Sequence, residues 1–184
     1  MIDDIHTASN LKPVAVVMNA LVSGGVFDAH TGTGPYTIYL NPNGSHPELS
    51  LLHEVGHYIE WQAIPKASLG LRNFKKDALF SRWLNVVGAS QNIGRLFGLR
   101  DDEIEGSSAY QMINYLLDTQ ELWARSYSQY VAAKKQVPVL LQQIASENKV
   151  VTGNIQLKTY WSIRDFLSIQ IAIDAIFQTS GWLK

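Results

Sequence analysis

The chain begins with short strand-like patterns and continues with apolar residues at helical spacing. A continuous apolar run over Pro13–Met18 predicts a buried strand, and the alternation of apolar and polar residues over Tyr36–Asn41 predicts a second strand. Glycine and proline at Gly24, Gly25 and 32–35 predict turns between them. After residue 45 the pattern is helical almost throughout. The predicted helices are about 45–62, 79–97, 107–134, 138–148 and 163–178, separated by Pro65, Gly70, Gly98, Gly106, Pro138 and Gly153.

This order of elements predicts an α+β fold, in which a small N-terminal antiparallel or mixed β-sheet is followed by a mainly helical body. With 184 residues and 46% hydrophobic content, the chain is expected to form a single domain over 1–184. The helix over 163–178 is apolar around much of its circumference, which favours a core helix over an interaction surface.

Composition narrows the possible partners and metal ligands. The net charge is −1, which argues against binding to nucleic acid or to an anionic membrane. The chain has no cysteine, so a metal site must use nitrogen and oxygen ligands. The N-terminus lacks the features of a signal peptide, and no apolar run is long enough to span a bilayer. The sequence therefore predicts a soluble protein.

The strongest chemical signal is His53-Glu54-Val55-Gly56-His57. On a helix, residues four apart lie one above the other, so both imidazoles can reach one tetrahedral ion while Glu54 projects toward a water on that ion. Ser45 and Glu48 have the spacing of a capping box, and Pro47 falls in the first turn. Gly56 weakens the helix interior, which favours close approach of another element to the metal-binding face. The alternative is a pair of surface histidines on an ordinary amphipathic helix.

A catalytic zinc needs one more protein ligand, and Glu121 is the best candidate. It is the one carboxylate on the otherwise small or apolar stripe Leu117, Glu121, Ala124, Ser128, Val131, where a charge requires a cation. The alternative is an exposed ion pair between Glu121 and Arg125. The remaining candidate ligands are weaker: Glu60, His46, Glu103 and Glu105.

These residues resemble the gluzincin branch of the zincin metallopeptidases, in which a glutamate on a later helix completes the zinc site. The run Glu121-Leu122-Trp123-Ala124 is similar to the Glu-x-x-Ala helix of zincin domains in phage-derived and toxin-like proteins. The chain departs from the thermolysin family, which has Asp where Arg125 stands. The extended metzincin motif is absent, since Glu60 and Ala63 replace its Gly and His. The resemblance implies a zincin-like fold in a cytoplasmic protein or one delivered by a phage or toxin system.

The resemblance also implies a zinc-dependent endopeptidase with one Zn²⁺ per chain, bound by His53, His57 and Glu121. Glu54 would act as general base toward a metal-activated water that attacks a peptide bond. Tyr127 is the first candidate for stabilising the carbonyl oxygen, with Tyr110 and Tyr160 as alternatives. A peptide or protein substrate is expected to pair with the strand Tyr36–Asn41, unless that strand is interior.

Two other functions remain open from the sequence. One is a non-catalytic, zinc-stabilised structural or interaction module of a phage or toxin protein, although Glu54 would be superfluous there. The other is amidase or deformylase chemistry, for which the cysteine ligand usual in deformylases is missing. Arg164 and Asp165 could line the cleft. The oligomeric state is undetermined.

Overall fold

The computed structural model describes residues 12–29, 36–63, 78–149, 151–152 and 155–181. Three strands come first: β1 (Val14–Met18), β2 (Gly25–Asp28) and β3 (Tyr36–Leu40). Seven helices are described after them: α1 (Pro47–Ala63), α2 (Ala78–Gly88), α3 (Gln91–Asp102), α4 (Ser108–Leu117), α5 (Thr119–Lys135), α6 (Pro138–Glu147) and α7 (Ile163–Thr179). A two-residue ladder of β4 (Val151–Thr152) and β5 (Ile155–Gln156) precedes α7. The α+β fold predicted from the sequence is confirmed.

The N-terminal sheet is mixed and has the strand order β1-β3-β2. β1 runs parallel to β3, and β2 runs antiparallel to it. The prediction that a substrate pairs with the strand Tyr36–Asn41 is therefore wrong, because β3 has a neighbour on each side. Among the described residues, β2 is the edge strand that packs against α1, and β3 is its neighbour in the sheet.

The prediction of a buried first strand is also wrong. Val16, Val17 and Met18 are all exposed, and Met18 exposes 63% of its surface. The reason is position, because β1 lies at the outer edge of the sheet with β3 as its one neighbour there. An unbroken apolar run identifies a strand but does not determine which of its faces is covered.

Two predicted helices are each divided in two by a capping residue. The helix over 79–97 ends at Gly88, and Ser90 begins α3 by accepting a hydrogen bond from the amide of Ile93. The helix over 107–134 is interrupted at Asp118, whose carboxylate accepts from the amide of Gln120. Serine and aspartate favour such positions because their side chains satisfy amides at a helix start. The second break redirects α4 relative to α5.

The first turn of α1 is capped from a distant part of the chain. The side chain of Gln143 on α6 accepts from the amide of Leu49 at 3.1 Å and donates to Glu48 at 2.6 Å. Among the described residues, these two hydrogen bonds replace the capping box that the sequence predicted between Ser45 and Glu48. A glutamine nearly a hundred residues away therefore fixes the start of the helix that carries the histidines.

The helices share a core rich in aromatic side chains. Trp123 on α5 lies at its centre, with the rings of Phe80 and Trp83 at 5.0 Å and 5.2 Å from its own. α7 buries one face, as predicted for a core helix, and exposes Ile163, Leu167 and Ile171. No described helix is both long and apolar enough to cross a bilayer. The predicted turn at 32–35 and the breaks at Pro65, Gly70 and Gly153 lie outside the described residues.

Candidate metal centre

The site depends on an unusually close approach of α1 and α5. A Cβ atom built on Gly56 would lie 2.8 Å from the Cα of Ala124, a distance that side chains do not tolerate. The two helices are joined at the same point by a hydrogen bond from the indole nitrogen of Trp123 to the carbonyl of Gly56, at 2.9 Å. The prediction that Gly56 allows another element to approach closely is confirmed. The first turn of α5 consequently lies beside the histidines of α1.

His53, His57 and Glu121 converge at this contact. The two Nε2 atoms of the histidines lie 3.1 Å apart. Glu121 faces both rings, with Oε2 at 3.1 Å from His53 Nε2 and Oε1 at 3.3 Å from His57 Nε2. His53 and His57 are one turn apart on α1, and Glu121 comes from α5. The structure therefore brings together the three residues that the sequence predicted as ligands.

The spacing of the two histidine nitrogens fits a tetrahedral ion. With metal–ligand bonds of about 2.0–2.1 Å, neighbouring ligand atoms of a tetrahedral site lie about 3.3 Å apart. The two Nε2 atoms are 3.1 Å apart, close to this value, and Glu121 places one carboxylate oxygen near each of them. Glu121 Oε2 is buried and makes no hydrogen bond of good geometry with the described residues, although it lies near His53. A cation between the three groups would satisfy this oxygen.

The electrostatics of the group also favour a positive charge at its centre. Burial alone would lower the pKa of His57, but the carboxylates of Glu121 and Glu60 outweigh it and raise the pKa to about 9. Burial would raise the pKa of Glu121, but the facing rings of His53 and His57 keep it well below its ordinary value. An ionised carboxylate therefore shares a positive charge with the imidazoles. A divalent cation provides that charge in competition with the proton.

Glu54 lies beside the ligands, on the side of the sheet. Its carboxylate is 7% exposed, and Oε2 accepts a hydrogen bond of 2.7 Å from the backbone amide of Phe27 on β2. Gly25 makes this position possible, since a Cβ atom there would lie 2.5 Å from Glu54 Cγ. Burial raises the pKa of Glu54, and this effect exceeds the lowering by His53 and His57. A carboxylate with a raised pKa is a stronger base.

Two cavities of about 320 Å³ and 470 Å³ meet at this group. Four residues line both of them: Gly25, His53, Glu54 and Tyr115. The larger cavity also contacts His57, Glu121 and residues of β2. Together the cavities form a cleft that passes over the histidines. A molecule in the cleft can therefore reach the histidines and Glu54 from either side.

Tyr115 is a site residue that the sequence did not single out. It lies in the last turn of α4, exposes 50% of its surface, lines both cavities and interacts electrostatically with Glu121. Burial of its hydroxyl and the Glu121 carboxylate raise the pKa of Tyr115 well above its ordinary value, so the hydroxyl keeps its proton and can donate. In one continuous helix over 107–134, residues 115 and 121 would lie about 120° apart. Because the chain breaks at Asp118 into two helices, this angle does not apply, and Tyr115 and Glu121 can lie on the same cleft.

Of the three tyrosines proposed from sequence, only Tyr160 lines the cleft. Tyr127 has no exposed surface and packs in the core against Phe177 and the Gly56 contact, where it cannot touch a substrate. Tyr110 lies in the first turn of α4 and lines neither cavity of the cleft. Tyr160 does line the smaller cavity, but it is buried and its hydroxyl lies 3.4 Å from that of Ser128. The burial of Tyr127 contradicts its prediction as a residue that contacts the substrate.

The weaker ligand candidates are not part of the group. His46 lies 3.5 Å from Glu147, and Glu103 accepts a hydrogen bond from Ser107. Glu105 is exposed in the loop between α3 and α4. Glu60 is fully buried behind His57, with its carboxylate 3.8 Å from Nδ1 of that ring. Glu60 therefore faces Nδ1 of His57, and Nε2 of the same ring faces the metal group.

The alternative interactions considered for Arg125, Arg164 and Asp165 are not observed among the described residues. The guanidinium of Arg125 binds main-chain carbonyls and makes no ion pair with the Glu121 carboxylate. Arg164 and Asp165 line a separate cavity, where Asp165 accepts from the amides of Gln91 and Asn92 at the start of α3. Neither residue lines the cleft.

Within the described parts of the chain, His53, His57 and Glu121 form the one group of three histidines or carboxylates with the spacing of metal ligands. No protein-family model, curated protein or solved structure matches the chain. The chemistry open to this group is that of two imidazoles and a carboxylate around one ion, with a base and a cleft beside it.

Proposed function

We propose that this protein is a zinc-dependent endopeptidase. The observation that carries the proposal is the convergence of His53, His57 and Glu121 at the floor of a cleft, with the Glu54 carboxylate fixed beside them by the amide of Phe27. Two histidines and one glutamate are a common ligand set of catalytic zinc, and they leave a fourth position for water or substrate. A purely structural zinc has no use for a neighbouring base.

When bound, Zn²⁺ would lower the pKa of a water and polarise the substrate carbonyl. Glu54 accepts the proton of the attacking water and then donates it to the leaving amine, a task to which its raised pKa is suited. The hydroxyl of Tyr115 donates a hydrogen bond to the developing negative charge on the carbonyl oxygen. The substrate lies along β2 rather than along β3, because β2 forms one wall of the cleft and β3 lies between two strands.

The first test is a measurement of zinc per chain by mass spectrometry. We expect one zinc in the wild type and at least a hundredfold weaker binding in Glu121→Ala, which removes one of three ligands. Glu147→Ala is the matched control, since it removes a carboxylate that pairs with His46 and is not part of the ligand group. Equal zinc binding by Glu121→Ala and wild type would contradict the ligand assignment.

The second test is hydrolysis of a fluorogenic peptide library by the zinc-loaded protein. We expect cleavage that a chelator abolishes and added zinc restores. Glu54→Gln should retain the zinc but lose cleavage by at least about 100-fold, because the amide cannot accept the proton. One zinc per chain without any cleavage would support the alternative, a zinc-stabilised structural or interaction module of a phage or toxin protein.

A further inference from the structure

The smaller cavity contains a buried cation that the proposed mechanism does not use. Arg125 lies on α5 one turn after Glu121 and is 3% exposed, and it lines the cavity of about 320 Å³. Its guanidinium donates to three main-chain carbonyls, those of Leu116, Glu121 and Thr159. The ring of Trp161 covers one face of it at 5.5 Å. These contacts fix the orientation of the group.

The carbonyls satisfy only part of this side chain. A guanidinium has five N–H groups, so two remain after three are donated. Carbonyl oxygens also leave the positive charge unbalanced, and a buried charge is costly without an ionic partner. Among the described residues no carboxylate pairs with Arg125, and the acid whose charge acts on it is Glu121, which belongs to the metal group. The site therefore has room for one more anion.

The rest of the cavity can bind a polar ligand. Six hydroxyl-bearing side chains line it: Ser23, Ser50, Tyr115, Thr152, Thr159 and Tyr160. Two acids, Glu54 and Glu147, line it as well, but each already has a partner: the amide of Phe27 for Glu54, and His46 at 3.5 Å for Glu147. The cavity opens to the metal group through His53 and Glu54. A molecule held at the metal can thus extend into it.

We propose that this cavity is a substrate subsite in which Arg125 binds a carboxylate next to the scissile peptide bond. The inference rests on the proposed peptidase function and names its substrate class. The carboxylate is either an Asp or Glu side chain, as in an endopeptidase, or the free C-terminus of the peptide, in which case the protein cleaves as a carboxypeptidase. The two uncommitted N–H groups of Arg125 match the two oxygens of such a group.

The distance between Arg125 and the metal group limits which substrate residue Arg125 can contact. Side chains four apart on a helix are about 5–6 Å from each other, and an extended peptide advances about 3.3 Å per residue. Arg125 is four residues from Glu121 on α5, so it reaches a residue directly flanking the bond that is cleaved. The protein would therefore select peptides by a charge within about one or two residues of the scissile bond.

The test measures ligand binding by calorimetry on the zinc-loaded protein, and so does not require turnover. The probes are short peptidyl hydroxamates, whose hydroxamate binds the metal, made in two matched pairs. One pair carries Glu or Gln beside the hydroxamate, and the other ends in a free carboxylate or a carboxamide. We expect the charged member of one pair to bind at least about tenfold more tightly. The pair that shows the difference identifies the source of the carboxylate.

Variants assign the preference to Arg125. Arg125→Gln should reduce the difference between paired probes to less than about twofold, and Arg125→Lys, which keeps the buried charge, should retain only part of it. Arg95→Gln is the control, since Arg95 lies on α3 and donates to the carbonyl of Gln156. Circular dichroism checks that each variant is folded. If Arg125→Gln does not fold, the comparison of Arg125→Lys with the wild type decides.

Two results would overturn the inference. Equal binding of charged and neutral probes by the wild type would exclude a carboxylate subsite, and an undiminished preference in a folded Arg125 variant would assign it to another residue. Failure of the proposed function looks different, because then no hydroxamate binds in a zinc-dependent manner and no peptide is cleaved. Cleavage without a charge preference would leave the peptidase proposal standing and this inference refuted.

Discussion

The Cα of Ala124 occupies the space in which any side chain at Gly56 would begin, at 2.8 Å from its Cβ position. This contact joins the helix that carries His53 and His57 to the helix that carries Glu121. The relationship predicts that the stability of the fold and the geometry of the metal group depend on the same glycine.

Gly56→Ala should destabilise the protein and weaken zinc binding. The added methyl meets backbone atoms, so α1 and α5 must separate, at a cost of about 1–3 kcal/mol. That cost exceeds the gain of about 1 kcal/mol from replacing glycine in a helix. Urea unfolding and zinc titration measure the two effects. Gly94→Ala on α3 is the control, since nothing lies within 4 Å of its added Cβ, and it should stabilise the protein. A stable Gly56→Ala variant with unchanged zinc affinity would contradict the packing explanation.

Gly25→Ala should displace the general base without removing it. Its Cβ would lie 2.5 Å from Glu54 Cγ, so the carboxylate must leave its hydrogen bond with Phe27. A misplacement of about 1 Å typically costs about 100-fold in rate, and we expect a loss of that size in peptide hydrolysis with zinc still bound. Gly24→Ala is the neighbouring control, because its Cβ would make an ordinary contact of 3.6 Å with Ser50. Similar rates for both variants would show that the position of Glu54 is unimportant.

Tyr115→Phe should lower kcat for peptide hydrolysis by about 100-fold, the typical effect of removing one donor to a developing oxyanion. The zinc content should remain at one per chain, since Glu121 keeps its contacts with both histidines. Tyr110→Phe, on the same helix but outside the cleft, serves as the control and should retain full activity. Steady-state kinetics distinguish the two. An unaffected kcat in Tyr115→Phe would remove this hydroxyl from the mechanism.

Glu60→Gln should weaken zinc binding about 10–100-fold, the usual effect of losing a carboxylate behind a metal-binding histidine. The buried Glu60 carboxylate lies 3.8 Å from His57 Nδ1 and favours the ring orientation that presents Nε2 to the metal. Competition with a fluorescent chelator measures the affinity. Glu105→Gln, in the exposed loop before α4, is the control for loss of a negative charge. Equal affinities of the two variants would mean that Glu60 does not orient His57.

The sequence by itself determined the candidate ligands and the fold class. His53, His57 and Glu54 are placed by the period of a single helix, and Glu121 is marked by a lone charge on an otherwise apolar stripe; both signals are local. The change from strand-like to helical patterning determined the α+β fold in the same way. These features depend on residues near each other in the chain, so one sequence suffices to find them.

The tertiary structure decided which residues surround the ligands. Three features depend on segments that are distant in sequence or separated by a helix break. They are the position of β3 between two strands, the cap that Gln143 provides for α1, and the approach of Tyr115 to Glu121. Tyr127 and Arg125 could not be placed from sequence, because a helical residue beside a ligand can face either the core or the cleft. Only the packing of α1, α4 and α5 fixes that choice, since burial depends on the elements that meet there and not on the period of any one of them.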